Sequence, residues 1–253
     1  MFFALGLSMA SGLATLLGAV VIFAASKKSE RLVTVSLGFA AGVMLSVSFA
    51  DLMPNADELL RGVAGEKMGT VLSILFLIAG VLMAAALDHF VPHEAYDDAT
   101  GEKPHKDLFR VGFVSMLAIG LHNFPEGIAT FMAGYDDAAL GASIALAIAC
   151  HNVPEGISVA MPVYFATGSR WKAVQYTFLS GISEPIGALL AFLVLRPFIT
   201  DLLLGAIFAL VSGIMLHICL EELIPSSRQY GHDRDALIAT FTGICLMPLT
   251  HLL

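Results

Sequence analysis

"LHNFPEGIATF" (residues 121–131) and "CHNVPEGISVA" (residues 150–160) carry one hexapeptide pattern twice, each time inside a stretch that is otherwise apolar. In a helix, side chains four apart share a face, so His122 lies over Glu126 and His151 over Glu155. Each repeat therefore offers an imidazole and a carboxylate together, with Asn123 and Asn152 one position round the helix. Nitrogen and oxygen donors in this combination suit a borderline divalent ion such as zinc, and also accommodate iron, manganese, cobalt or cadmium. Pro125 and Pro154 have no amide hydrogen, which deprives the carbonyls of Leu121 and Cys150 of their helical partners. Two proline-broken helices with ligands in corresponding positions are the pattern of a transporter's substrate site near the bilayer midplane.

The surrounding composition fits that setting. The chain has 253 residues, 57% hydrophobic and 13% charged, with a mean hydropathy of +0.83; soluble domains carry about 25% charged residues. Apolar runs of membrane-spanning length recur at 2–25, 32–53, 70–87, 108–133, 139–165, 173–195, 202–223 and 236–252. The expectation is an all-α membrane protein of eight transmembrane helices forming a single domain over residues 1–253. Cys150, Cys219 and Cys245 all fall within spans, which points away from a disulfide framework.

Loop charge orients the bundle. Lys27, Lys28, Arg31, Lys103, Lys106, Arg110, Arg170, Lys172, Arg228 and Arg234 lie in alternate loops, against Arg61, Lys67 and Arg196 in the others. The positive-inside tendency puts the first set in the cytoplasm and hence both termini outside. No basic residue precedes the first apolar run and "KKSER" (27–31) follows it, so the run is expected to be a span rather than a signal peptide. The net charge of −8 is partly that of acidic outer loops, which mildly concentrate cations.

Energetics separate the repeat from an ordinary buried histidine or proline kink. An ionised glutamate in hydrocarbon costs roughly 2.5 kcal/mol or more, and Glu184 in "GISEPIG" (181–187) adds a third carboxylate followed directly by proline. Three carboxylates at similar depth cannot all stay charged alone, so either a metal ion or protons must neutralise them.

These segments, with "GISEPIGALLA" (181–191), closely resemble the fourth, fifth and sixth helices of the ZIP family of zinc and iron transporters, in its ZupT-like bacterial branch. "LGFAAGVML" (37–45), "LDHFVPHE" (87–94) and "EELIPSS" (221–227) resemble family segments on the second, third and seventh helices. The resemblance implies a 3+2+3 inverted-repeat fold in a bacterial inner membrane, and a two-metal centre. His122, Glu126, His151 and Glu155 would hold the first ion, with Met44 lending a thioether. Asn123, Asn152 and Glu184 would complete a second site, with Glu126 and Glu155 bridging. Some relatives place more acidic pairs in the fifth helix, so His151 and Asn152 make this second site less anionic.

Other polar residues at span ends need a reason. Asp88, His93, Glu94, Glu222 and His232 fall on the cytoplasmic side, where they could relay an ion outward, and Asp51 falls at the outer mouth. His217, four before Glu221, reads as a further clamp or as a packing histidine. Gly38, Gly42, Gly181 and Gly187 would let helices approach and slide. The expected function is inward transport of a divalent transition metal by alternating access. No catalytic cofactor is needed, and the expected partners are the ions, the bilayer and a second copy in a homodimer, with no nucleic acid. The alternative is an intramembrane zinc-dependent hydrolase; the chain has neither an HExxH nor a Gly-x-Ser-x-Gly motif.

Overall fold

A computed structural model describes residues 1–24, 29–90 and 105–252. Among them there is no strand. The helices are α1 (Phe2–Ala19), α2 (Val21–Ala24), α3 (Glu30–Val47), α4 (Met53–Ala64), α5 (Glu66–Phe90), α6 (His105–Asp136), α7 (Ala138–Thr167), α8 (Arg170–Gly181), α9 (Ser183–Leu190), α10 (Asp201–Ile218), α11 (Ile224–Arg228) and α12 (Asp233–Leu246). Polar caps set several starts. Ser29, Asp137, Ser169 and Thr200 accept amide hydrogens from the first turns of α3, α7, α8 and α10. Gly168, at φ 68, ends α7 in the left-handed conformation that glycine adopts without strain.

Seven helical stretches of the described residues are long and apolar enough to cross a membrane: Phe2–Ala19, Glu30–Ala64, Glu66–His89, Leu108–Tyr135, Ala138–Thr167, Arg170–Val194 and Asp201–Arg228. They correspond to the first seven expected spans. The eighth differs, because α12 has only 14 residues before Met247–Leu252, with Pro248 in it, tightens into a 3₁₀ segment. Fourteen residues at about 1.5 Å each reach short of a hydrocarbon core of about 30 Å.

Two bundles share the work. α1, α6, α7, α8 and α9 pack chiefly on one another; in the second bundle α3 packs on α12, and α4, α5 and α10 on one another, the two groups meeting at Ser48–Leu52 and Cys219–Leu223, while α3 against α7 and α10 against α6 join the bundles. Within each bundle the helices touch backbone to backbone at glycines. In the first, Gly12 meets the Gly181 carbonyl and Gly181 the Gly12 carbonyl. Gly18 meets that of Val153 and Gly187 that of Phe124; Gly156 meets Thr15 and Gly127 meets Glu184. In the second, Gly42 meets Thr240, Gly213 meets Leu77, Gly80 meets Leu210 and Gly243 meets Phe39. A β-carbon at any of these positions would strike the facing carbonyl. Gly38, Gly42, Gly181 and Gly187 do let backbones approach closely, and each of these approaches lies inside a bundle. What lies between the bundles is side chain. Leu37, Met44 and Val47 of α3, Val111, Val114 and Ile119 of α6, Met161 and Val163 of α7, and Ile214 and Ile218 of α10 belong to one buried apolar cluster.

Two wide turns interrupt the second bundle in the same way. Ser48–Leu52 joins α3 to α4 ahead of Pro54, and Cys219–Leu223 joins α10 to α11 ahead of Pro225. Proline cannot bond the carbonyl four residues back and collides with it, and one extra residue in the turn relieves the collision. The turns also grip each other's helices. Ser212 Oγ donates to the Ser48 carbonyl at 3.2 Å and Cys219 Sγ to that of Ala41 at 3.6 Å.

Candidate metal centre

α6 and α7 run without a break through Pro125 and Pro154, which corrects the expectation of broken helices there. The sixth span carries a one-residue turn at Ile182, two before Glu184, across which the Ile182 amide still donates to the Phe178 carbonyl and the Ile186 amide to that of Ile182. Close packing of α6 on α7 and of α9 on α6 brings the three polar clusters to one depth. His122, Asn123, Glu126, His151, Asn152, Glu155 and Glu184 are all buried.

His122, Glu126 and His151 offer ligand atoms that all lie within 4.8 Å of one another. Glu126 Oε1 is the shared point, 3.1 Å from His122 Nε2 and 2.9 Å from His151 Nε2. Glu155 Oε1 approaches His122 Nε2 to 3.3 Å. Several atoms here have no hydrogen-bond partner among the described residues: His122 Nδ1, Glu126 Oε2, Glu155 Oε2, Asn123 Oδ1 and Asn152 Oδ1; His122 Nε2 meets the carboxylates without hydrogen-bond geometry. Buried acceptors normally find donors. A pocket this rich in lone pairs and poor in donors fits a cation.

The asparagines are oriented by carbonyls. Asn123 Nδ2 donates to the Ser180 carbonyl at 3.2 Å, and Asn152 Nδ2 donates to that of Ser11 at 2.9 Å. Both amides thereby turn their oxygens, rather than their nitrogens, toward other company. Asn152 Nδ2 also reaches Glu184 Oε2 at 2.8 Å, and Ser11 Oγ is hydrogen-bonded to Glu184 Oε1. Glu184 therefore sits beside Asn152, outside the three-ligand cluster, with each oxygen held by a donor.

Such a centre, two imidazoles and a carboxylate buried together among closely packed apolar helices, has the donor set of a dication site. A family model described as "ZIP Zinc transporter" matches residues 92–250. The chain belongs to the ZIP family. Among its ZIP relatives, the zinc transporter ZupT of Chlorobaculum parvum is 44% identical, covering 99% of this chain and 97% of the relative. Those of Nitratidesulfovibrio vulgaris and Streptococcus mutans are 43% and 41% identical, covering 99% and 100% of this chain and 96% and 98% of theirs.

The remaining expected residues of this ZIP chain separate. Met44 is fully buried on α3, in the apolar cluster between the bundles. Asp51 is half-buried in the first wide turn and His232 half-buried ahead of α12. His93 and Glu94 lie outside the described residues. Asp88 and Glu222 are brought together by Arg110, whose Nη1 donates to Glu222 Oε1 at 2.6 Å while Nη2 pairs with Asp88 Oδ1. That guanidinium, which in sequence reads only as a loop charge, links α6 to α5 and to the second wide turn. Ser11 is likewise absent from any motif. Its one signal is a stripe of hydroxyls, Ser8, Ser11 and Thr15, at helical spacing on an apolar helix, all buried. His217 Nε2 is buried without a partner among the described residues, and nothing joins it to Glu221, which is exposed.

Proposed function

We propose that this ZIP-family chain carries zinc, and related divalent ions such as iron, manganese, cobalt and cadmium, across a bacterial inner membrane into the cytoplasm. The observation that carries the proposal is the buried His122, Glu126 and His151 cluster with its unpartnered acceptors. One ion is held by His122, Glu126, His151 and Glu155, with Met44 as a soft ligand from α3. A second is held by Asn123, Asn152 and Glu184, with Glu126 and Glu155 bridging. The ion is cargo here, stripped of water by these ligands and released when they move. A hydrolase would need an open water position and a separate general base, and the family match and the ZupT relatives favour transport over that reading.

Movement is by alternating access of the first bundle against the second. Support comes from the contrast between rigid glycine welds inside each bundle and an apolar side-chain layer between them. The fold is an inverted repeat of eight spans, the last made by α12 and its 3₁₀ extension, with both termini outside. Support comes from contacts that occur in matched pairs, such as Gly18 to Val153 with Gly187 to Phe124, and Gly42 to Thr240 with Gly213 to Leu77. Under that pairing Asp51 and Glu222 occupy matching places, each three before a proline. Asp51 serves the outer mouth, and Glu222, with Asp88, His93 and His232, the inner one.

Reconstitution into sealed liposomes with an internal zinc indicator tests the function. The expected result is zinc accumulation that depends on the protein and is inhibited by competing cadmium. Absence of flux through folded, correctly inserted protein would end the proposal.

A further inference from the structure

We propose that Ser11 of α1 is a positioning residue for the second ion, fixing Glu184 through its hydroxyl and Asn152 through its carbonyl. The inference rests on the second-site reading above and adds a helix that lacks any charged ligand. Ser11 is 1% exposed. Its hydroxyl is hydrogen-bonded to Glu184 Oε1, and its carbonyl accepts from Asn152 Nδ2, the atom that also donates to Glu184 Oε2. Three groups from α1, α7 and α9 thus close one small network, and neither donor to the carboxylate is charged.

The hydroxyl has a second option built in. Ser11 Oγ also lies 3.1 Å from the Leu7 carbonyl and 3.2 Å from that of Ser8. It has one proton and three acceptors within reach. With no ion present the proton serves Glu184; when an ion takes Oε1, the hydroxyl turns to its own helix and no buried donor is stranded. Ion binding at Glu184 therefore avoids the penalty that a stranded buried donor carries.

The matched half of the molecule shows what the arrangement is for. Ser180 presents its carbonyl to Asn123 as Ser11 does to Asn152, but its hydroxyl donates to the Thr177 carbonyl of its own helix at 2.8 Å. There the position matching Glu184 is Thr15, which faces Gly156 as Glu184 faces Gly127 and carries a hydroxyl in place of the carboxylate. The hydroxyl leaves its helix only in the half that has a carboxylate to hold.

The test is zinc titration calorimetry on purified full-length protein, with zinc KM from liposome flux, for Ser11→Ala, Glu184→Gln and the double variant. Removing a group that orients a metal ligand lowers affinity by about 10–100-fold. The expected result is a loss of that size in the weaker binding step for Ser11→Ala, the tighter step retained, and no further loss when Ser11→Ala is added to Glu184→Gln. If Ser11→Ala is silent while Glu184→Gln weakens the step, the inference fails and the second site stands. Equal losses from Ser11→Ala in both backgrounds would mean a packing role, which also overturns it. A silent Glu184→Gln removes the second-site reading and this inference with it.

Discussion

Glu126→Gln removes one charge and almost no volume from the point where both repeats meet. In the free protein Glu126 Oε1 stands 3.1 Å from His122 and 2.9 Å from His151, and Glu126 is 6% exposed. Contacts of a buried charged group are worth about 1.5–3 kcal/mol each. Taking those two contacts as the floor for what the carboxylate contributes to holding a dication in their place, the loss is about 3–6 kcal/mol. At 1.4 kcal/mol per decade this is a weakening of about 100- to 10,000-fold. Zinc affinity by calorimetry and initial flux at sub-saturating zinc should both fall by that range. Glu66→Gln is the control, since Glu66 is 82% exposed and makes only a surface ion pair with Arg61 at 3.2 Å, worth about 0–1 kcal/mol. Zinc affinity within threefold of the parent for Glu126→Gln would refute the reasoning.

Imidazole and carboxylate must shed protons to bind metal, so zinc uptake should fall between neutral and mildly acidic pH as protons compete at His122 and His151. A flat flux profile across that range would contradict the ligand assignment. Asn152→Asp adds a charge beside Glu184, and in competition assays with zinc, iron, manganese and cadmium it should change the order of preference more than the total flux. An unchanged order would count against a second ion at this place. Gly127→Ala gains about 1 kcal/mol of helix propensity but collides with the Glu184 carbonyl, and overpacking costs about 1–3 kcal/mol. Net destabilisation in detergent melting is expected; a rise in melting temperature would show that the contact is looser than described. Arg110→Gln leaves Asp88 and Glu222 without their shared cation, a loss of about 3–5 kcal/mol for a buried pair. Adding Glu222→Gln should recover part of that stability, and additive losses would show that the two residues do not interact.

The spans and the first cluster were legible because both are written in local pattern. Apolar length marks a helix in lipid, and residues four apart must share a face, so His122 with Glu126 needed no tertiary information, whereas the contacts of His151 with Glu126 and of Glu155 with His122 cross between α6 and α7. What could not be read depends on which helix lies opposite. Glycine in a sequence says that something can come close without saying what, and only the structure shows that Gly181 meets the Gly12 carbonyl and Gly187 that of Phe124. Ser11 carries no charge and no motif, and its role exists only because α1 passes between Asn152 and Glu184. Arg110 reads as one more cytoplasmic base until α5 and α10 bring their acids to it. The prolines misled in the other direction: Pro125 and Pro154 sit inside unbroken helices, and ahead of Pro185 only Ile182 leaves the α-helix.

The contact between main chains has a further consequence. Carbonyls seated on glycines leave little room between the paired helices of each bundle, whereas apolar side chains fill the contacts of α3 with α7 and of α10 with α6, which makes that layer the more yielding one. A change in lipid thickness or lateral tension would therefore be felt first in that layer, altering how often the cargo is handed across without altering how tightly it is gripped.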